Sequence, residues 1–475
     1  MKKWLSYHPR YIRSLVYMLQ ASEYNICDYL NWYGRVKNFN KVECRKHLIK
    51  TPKAILIFII AWTILLSLYS FAISLFWLKL GLIKYIFFAG ILLIAPYFLA
   101  YVIIAPIILI RIFIQWPIEF VIIKCAQKKL KKHKAIKIAI AGSFGKTTMR
   151  EILKTILEKN KKVATPLHNH NTPLGISRFI KILKGDEEVL IFELGEYYPG
   201  DVKKLCDLTQ PNIGIITGIN EAHLKKFKSL DKTIKIIFEL SDWLKKNPIY
   251  VNGENNLARN NVLNDYIIYN RKGIEKWKVE NPQTNLKGTS FVISKNGQDY
   301  KIKTNLLGLH QIGPLMVAID IAIKLGISID QIKEGIKNIK PVDHRLEPKI
   351  NNAGVITLDD SYNGNPDGVK VVIEFLASLH NYRRFYVTPG LVEMGSKIKE
   401  IHKAIGIQLA KTEIEKIILI KNSVTPFIAE GLKDANYNGE IIWFNDALTA
   451  FDALPYLTVK NDVVLLQNDW PDQYV

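Results

Sequence analysis

The stretch "AIKIAIAGSFGKTTMREILKTILEK", residues 135–159, decides the fold. "AIKIAIAG" is an isoleucine-rich run ending in glycine, and "KTTMREILKTILEK" carries apolar residues at helical spacing. Strand, glycine loop and helix in that order present backbone N–H groups to a phosphate at a helix N-terminus. In such a loop Lys146 neutralises the β- and γ-phosphates and Thr147 ligates Mg²⁺. The full phosphate-loop pattern asks for glycine at position 140, where this chain has Ile140. What remains is G-x-x-G-K-T-T, with Gly142, Ser143, Gly145, Lys146, Thr147 and Thr148 as nucleotide contacts.

Upstream, the composition changes. "AILIFIIAWTILLSLYSFAISLFWL" (54–78) and "YIFFAGILLIAPYFLAYVIIAPIILI" (85–110) are apolar without interruption. Each exceeds the ~20 residues that a helix needs to cross the ~30 Å hydrocarbon core. The gap 79–84 is too short for a domain, so the two runs predict a helical hairpin; Pro96 and Pro106 are tolerable inside it. Lys and Arg cluster on both flanks, in residues 1–53 and from Arg111 through "KKLKKHKAIK" (128–137), which puts both ends on the cytoplasmic side of a two-span protein. The same clusters account for much of the formal net charge of +22. They read as juxtamembrane lysines rather than a nucleic-acid surface, since no nucleic-acid motif accompanies them. The aromatic, basic stretches 11–36 and 111–130 read as interfacial helices or as packing against the soluble part. Cys27, Cys44, Cys125 and Cys206 form no metal-like spacing, and no cleavable leader is expected because the first apolar run starts some fifty residues in.

Downstream, "EVLIFELGEYYPGDVKKL" (188–205) predicts a strand ending at Glu193, and "PNIGIITGINEAHLKKF" (211–227) another ending near Asn220 and His223. A parallel sheet delivers its chemistry at strand C-termini, so Glu193 and His223 fall on the rim of the phosphate loop. Carboxylate, imidazole and the Thr147 hydroxyl are the candidate Mg²⁺ ligands. "WKVENPQTNLKGTSFVISKNGQDYKIKTNLLG" (277–308) alternates like an antiparallel hairpin. "RRFYVTP", "IEKIILI", "IIWF" and "DVVLLQ", interleaved with helical patterns, predict a second α/β domain.

The chain resembles the Mur ligase superfamily, nearest to its D-alanyl-D-alanine-adding branch, over about residues 135–475. The likeness rests on "GSFGKTT", "NTPLG", "FELG", "ITGINEAHL", "GLHQIGP", "DHRLE", "DDSYNGNPDG" and "TPGLVEMG" in the family's order. It implies an α/β architecture, with a central ATP-binding P-loop domain at 135–342 and a Rossmann-like C-terminal domain at 343–475 following the membrane anchor that the apolar runs predict at 1–134. It also implies ATP- and Mg²⁺-dependent amide-bond formation through an acyl-phosphate. Arg345 of "DHRLE" would stabilise the transferring phosphoryl group, with Lys146 and His223 the other catalytic candidates. Asp360, Asn363 and Asn365 would contact nucleotide from the C-terminal domain, and His310 would lie near the adenine. Asn171, Thr172 and Glu393 are substrate-side candidates; His402, a lone histidine on a helix, reads as structural. The implied partners are a cell-wall peptide precursor, nucleotide- or lipid-linked, and an amino acid or dipeptide, D-Ala-D-Ala by preference.

Three departures stand out. The carbamylated lysine usual in the family falls, without gaps, on Ile237, two residues before Glu239; Lys235 is ~200° away around the helix. Gln311 replaces the asparagine expected after His310. Where soluble members carry a UDP-sugar-holding N-terminal domain, this chain has the hairpin. Two other classes compete: a catalytically impaired nucleotide-binding scaffold for cell-wall enzymes, favoured by Ile237, and a transport NTPase, disfavoured by spans without Asp, Glu, Lys or Arg.

Overall fold

The computed structural model describes residues 10–36, 39, 42–43, 47–77, 81–167, 170–196, 198–220, 229–263, 265–362, 364–392 and 394–469. The chain divides into two compact units at Val121 and Ile122.

The first unit is helical. α1 (Tyr11–Ala21) and α2 (Ile26–Arg35) precede α3 (Pro52–Ser74), which starts on the side chain of Thr51 with Pro52 in its first turn. α4 (Ile83–Val102), α5 (Ile104–Ile110), a π-helical turn (Arg111–Gln115) and α6 (Trp116–Lys131) run on nearly end to end. Pro52–Trp77 and Ile83–Lys131 are each long and apolar enough to cross a membrane. The helix that carries the second apolar run continues past Ile110 to Lys131. Arg111, Gln115 and Glu119 are spaced by four, so they share one face and do not break the helix. α1 and α2 pack on the hairpin, a partner the sequence did not point to. Leu15, Leu19 and Tyr29 are buried with Ile57, Ala61, Leu99 and Ile103. The Tyr11 hydroxyl donates to the Pro96 carbonyl at 3.0 Å and that of Tyr29 to Ala100 at 2.8 Å, which fixes the two arm helices to α4 at specific carbonyls.

The second unit holds two sheets. The first contains β1 (Ile136–Ala141), β2 (Val163–Ala164), β3 (Val189–Glu193), β4 (Ile213–Ile216), β5 (Ile249–Asn252) and β6 (Ile267–Asn270). These run parallel in the order β2-β3-β1-β4-β5-β6. β7 (Gly273–Ile274), β8 (Trp277–Asn285), β9 (Gly288–Lys295) and β10 (Gln298–Thr304) extend the same sheet antiparallel. Alternation along β1 sorts its faces. Ile138 and Ile140 join a core with α7 (Lys146–Leu157), while Ala139 and Ala141 join one with α8 (Pro173–Ile182) and α9 (Asp201–Thr209).

The second sheet contains β11 (Glu347–Ile350), β12 (Ile356–Asp360), β13 (Arg384–Thr388), β14 (Lys416–Ile420), β15 (Glu440–Phe444) and β16 (Val463–Gln467). Its order is β11-β12-β16-β13-β14-β15, parallel except for the edge strand β11. Leu286 and Leu307, from the region of the antiparallel extension, pack into this sheet's core, so the two sheets belong to one body.

Candidate functional site

β1 is flanked by β3 and β4, and the loop Gly142–Gly145 leaves its C-terminal end. The site therefore opens at the point where strand order reverses. Gly142 (φ 144°) and Gly145 (φ 75°) hold conformations that L side chains rarely adopt. A Cβ on Gly142 would run into the Thr217 hydroxyl and the Gly218 backbone. Thr217 clamps the loop from β4, its hydroxyl donating to the carbonyls of Ala141 (3.3 Å) and Phe144. The Ser143 N–H donates to Gly218 O at 2.8 Å. Lys146 donates to the Gly142 carbonyl and pairs with Glu196 at 2.7 Å, which holds its ammonium over the loop.

Register brings the first acid to this loop. Ile140 of β1 pairs with Glu193 of β3, so the last residue of β3 stands beside the first turn of α7. The Thr147 hydroxyl donates to Glu193 Oε2 at 3.1 Å, and Arg150 Nη1 lies 2.7 Å from Oε1. Burial raises the Glu193 pKa, opposed by the charges of Arg150 and Lys146. A hydroxyl and a carboxylate oxygen side by side are hard donors of the kind Mg²⁺ takes, so these two residues fit such an ion. His223, the third expected ligand, lies outside the described residues, as do Asn363 and Glu393. Ile237 is fully buried in the apolar core beside α9, and Lys235 is exposed. Glu239 instead caps α9, accepting from the Gly200 and Lys203 N–H groups at 2.8 and 2.9 Å. Position 237 thus offers no amine to carbamylate.

The second sheet contributes Arg345 and Asp360. Arg345 stacks on the Tyr362 ring at 4.9 Å. Burial lowers its pKa, and the charges of Asp360, Tyr362 and Glu193 raise it, so the guanidinium lies within reach of charges from both sheets. Burial pushes the Asp360 carboxyl up to about 7, against the pull of Arg345. Asn365 caps the helix Pro366–Ala377 through Gly368 N–H (3.0 Å) and accepts from Asn220 Nδ2 at 2.7 Å, a buried amide contact between the two sheets' domains.

His310 lies in a 3₁₀ turn, its Nε2 2.9 Å from the amide of Gln311; burial and Arg271 push its pKa down to about 4, so it is a neutral imidazole. Thr148 sits in the first turn of α7. Thr172 caps α8, accepting from Gly175 N–H at 3.2 Å, while Asn171 accepts from Gly195 N–H at 3.0 Å through its carbonyl. The Asn171 Oδ1 is buried and has no hydrogen-bond partner among the described residues. His402 is buried, donating to Ile398 O (2.6 Å) and accepting from Leu391 N–H (2.9 Å), a structural role. Sequence reasoning missed Arg150, Glu196 and Thr217. The first two are polar residues in the segments "KTTMREIL" and "FELGE", but their partners are dozens of residues away.

Residues 140–322 match the Mur ligase middle domain, and 344–467 the Mur ligase glutamate ligase domain. The chain belongs to the Mur ligase family. It is similar to the UDP-N-acetylmuramoyl-tripeptide–D-alanyl-D-alanine ligase of Borreliella burgdorferi, 32% identical over 308 residues, 61% of this chain and 63% of that protein. The Bacillus subtilis enzyme of the same name is 23% identical over 332 residues, 70% and 72% of the two chains. The chain thus spans under two thirds of the Borreliella relative's length. Among solved structures, MurF ligase from Thermotoga maritima in complex with ADP superposes with a TM-score of 0.66 at 22% identity, over 74% of this chain and 80% of that one. A pseudomurein peptide ligase type C from Methanothermus fervidus gives 0.55 at 20% identity, over 73% and 78%.

Proposed function

We propose that this chain is an ATP- and Mg²⁺-dependent amide ligase. It would add an amino acid or dipeptide, D-Ala-D-Ala by preference, to a peptide precursor of the cell wall at the cytoplasmic membrane face. The observation that carries the reading is the grouping of Lys146, Thr147 and Glu193 at one loop of the first sheet's domain, with Arg345 of the second within reach of the Glu193 charge. The names of the relatives support the acceptor and the dipeptide.

In this reading the loop N–H groups and Lys146 hold the β- and γ-phosphates. An acceptor carboxylate oxygen attacks the γ-phosphorus and ADP leaves. Arg345 steadies the charge on the phosphoryl group in flight. The incoming amine then attacks the acyl carbon, and phosphate departs carrying that carboxylate oxygen. Thr147 and Glu193, with His223 as a third ligand, would hold Mg²⁺, which would supply charge neutralisation for the phosphates. His310 would neighbour the adenine; Asn363, Asn365 and Asp360 would touch nucleotide; Asn171, Thr172 and Glu393 would face the acceptor. The apolar hairpin, with lysines and arginines on both flanks, supports two spans with both ends cytoplasmic, and an acceptor that is itself lipid-linked would explain the anchor.

The test is phosphate release by the purified full chain in nanodiscs with ATP and Mg²⁺. UDP-MurNAc-tripeptide is compared with its lipid-linked form, each with and without D-Ala-D-Ala. Acceptor- and amine-dependent phosphate matched by amide product, lost in Lys146→Ala, is the expected result. The second reading, a nucleotide-binding scaffold, is favoured by the buried Ile237. It expects ATP binding with no turnover on either acceptor.

A further inference from the structure

Residues 108–122 form part of the long helix, and none of them is buried. Eleven of the fifteen are nonetheless apolar. Phe113 is 72% exposed and Phe120 63%. A helix that is apolar over most of its circumference is normally covered by protein or by lipid. The depth of the hairpin bears on which. Pro52–Trp77 is 26 residues, ~39 Å of helix. The antiparallel mate starting at Ile83 consumes an equal length by about Ile108. The helix past Ile108 lies beyond the bilayer core that the first span defines.

The polar minority is ordered. Arg111, Gln115 and Glu119 lie four apart on one face, and Gln115 donates to Glu119 at 2.7 Å. Arg111 and Glu119 are both charges that act on Lys53, at the start of α3, so this stripe is turned toward the hairpin's base. Arg111 also stands over the Trp116 ring at 5.9 Å. The remaining circumference, apolar and aromatic, is turned away. A π-helical turn, a device common at functional sites, lies within the stretch at Arg111–Gln115. Exposed Lys124, Lys128, Lys131, Lys132 and Lys134 come next, with no acidic residue between them. That charge suits anionic headgroups and would repel a second copy's identical segment.

We propose that Ile108–Ile122 is seated in the membrane interface: its apolar circumference contacts lipid, its polar stripe faces the protein, and the lysines after it lie among anionic headgroups. Lipid contact then extends about a dozen residues past the end of the spanning hairpin. The inference rests on the reading of the hairpin as membrane-embedded.

The experiment separates the two. The full chain, in nanodiscs containing phosphatidylglycerol, carries a nitroxide at Phe113→Cys or Ile118→Cys in a background with Cys27, Cys44, Cys125 and Cys206 replaced. Phe87→Cys in the hairpin is the lipid control, and Asp330→Cys, on an exposed helix of the second unit, is the aqueous control. Collision with oxygen exceeding collision with a nickel chelate at 113 and 118, as at 87, and the reverse at 330, is the expected outcome. Nickel excess at 113 and 118 with oxygen excess at 87 overturns the inference and leaves the hairpin intact. Nickel excess at 87 as well overturns the membrane reading itself. Protection at 113 from both reagents, with spin–spin broadening, assigns the face to a second copy and also overturns the inference.

Discussion

Replacing Arg150 by Met strips the Glu193 carboxylate of its buried counter-ion. Both side chains are almost fully enclosed, 5% and 7% exposed, and 2.7 Å apart. The guanidinium also bridges Glu151 at 2.6 and 3.0 Å and reaches the Pro166 carbonyl at 3.4 Å, so it ties α7 to the end of β3. Deleting one partner of a buried pair costs about 3–5 kcal/mol, because the other charge is left without compensation. In a domain of roughly 200 residues, 1 kcal/mol moves the melting temperature by about 2–4 °C, so a fall of roughly 6–20 °C is expected. The assay is intrinsic-fluorescence unfolding of the full chain in nanodiscs, nucleotide-free and with EDTA, so that bound ligand does not mask the loss. Arg150→Lys, which keeps the charge but loses the fork, falls in between. Arg150→Met/Glu193→Leu recovers most of the loss, since an apolar pair removes the desolvated charge along with its partner. A single mutant within about 2 °C of the parent by the same scale, or a double mutant no better than the single, refutes the reasoning.

Gly142→Ala forces a side chain into a backbone conformation at φ 144° and against Thr217 and Gly218. Strain of about 1–3 kcal/mol lowers the melting temperature by roughly 2–12 °C if the loop keeps its shape; if the loop relaxes out of that shape, the same energy appears as a roughly 5- to 150-fold weaker affinity for a fluorescent ATP analogue. Asp360 titrates near 7 in the folded chain against the ordinary 3.8 of a free aspartate side chain. The folded state therefore binds the extra proton between those values, and stability falls as pH rises through that window. Asp360→Asn flattens that segment of the melting-temperature profile; an unchanged slope contradicts the assignment. Ile237→Lys buries an ammonium in an apolar core, so it lowers the melting temperature and raises turnover on neither acceptor. A gain in phosphate release in that variant would mean the helix Leu230–Leu244 can turn to present position 237 to the nucleotide.

The phosphate loop was legible because strand, glycine turn and helix are contiguous, and local spacing carries the whole motif. Glu193 was legible one step further out, since a buried run in a parallel sheet must end on the rim. The pairs Arg150–Glu193 and Lys146–Glu196 were not. Each joins residues more than forty positions apart, and only the register of β1 on β3 brings them together. The alternation over 277–308 announced antiparallel strands, yet nothing in it said that they would continue the sheet that carries the loop. Asn365 reads as a nucleotide contact by resemblance; the structure shows it as the cap of the helix Pro366–Ala377, a use that Asn before Pro permits. The arm 11–36 was ambiguous because an aromatic, basic stretch states only that it needs an apolar partner, bilayer or protein. The hydroxyls of Tyr11 and Tyr29 meet that need at specific carbonyls of α4, which no periodicity encodes.

The most direct measurement tracks one oxygen. Acceptor peptide labelled with ¹⁸O in its terminal carboxylate is turned over by the full chain with ATP, Mg²⁺ and D-Ala-D-Ala, and both products are weighed by mass spectrometry. One ¹⁸O in each released phosphate, with one amide formed per phosphate, is the predicted result. Phosphate that carries solvent oxygen alone, or that is released without amide, contradicts ligation through an acyl-phosphate.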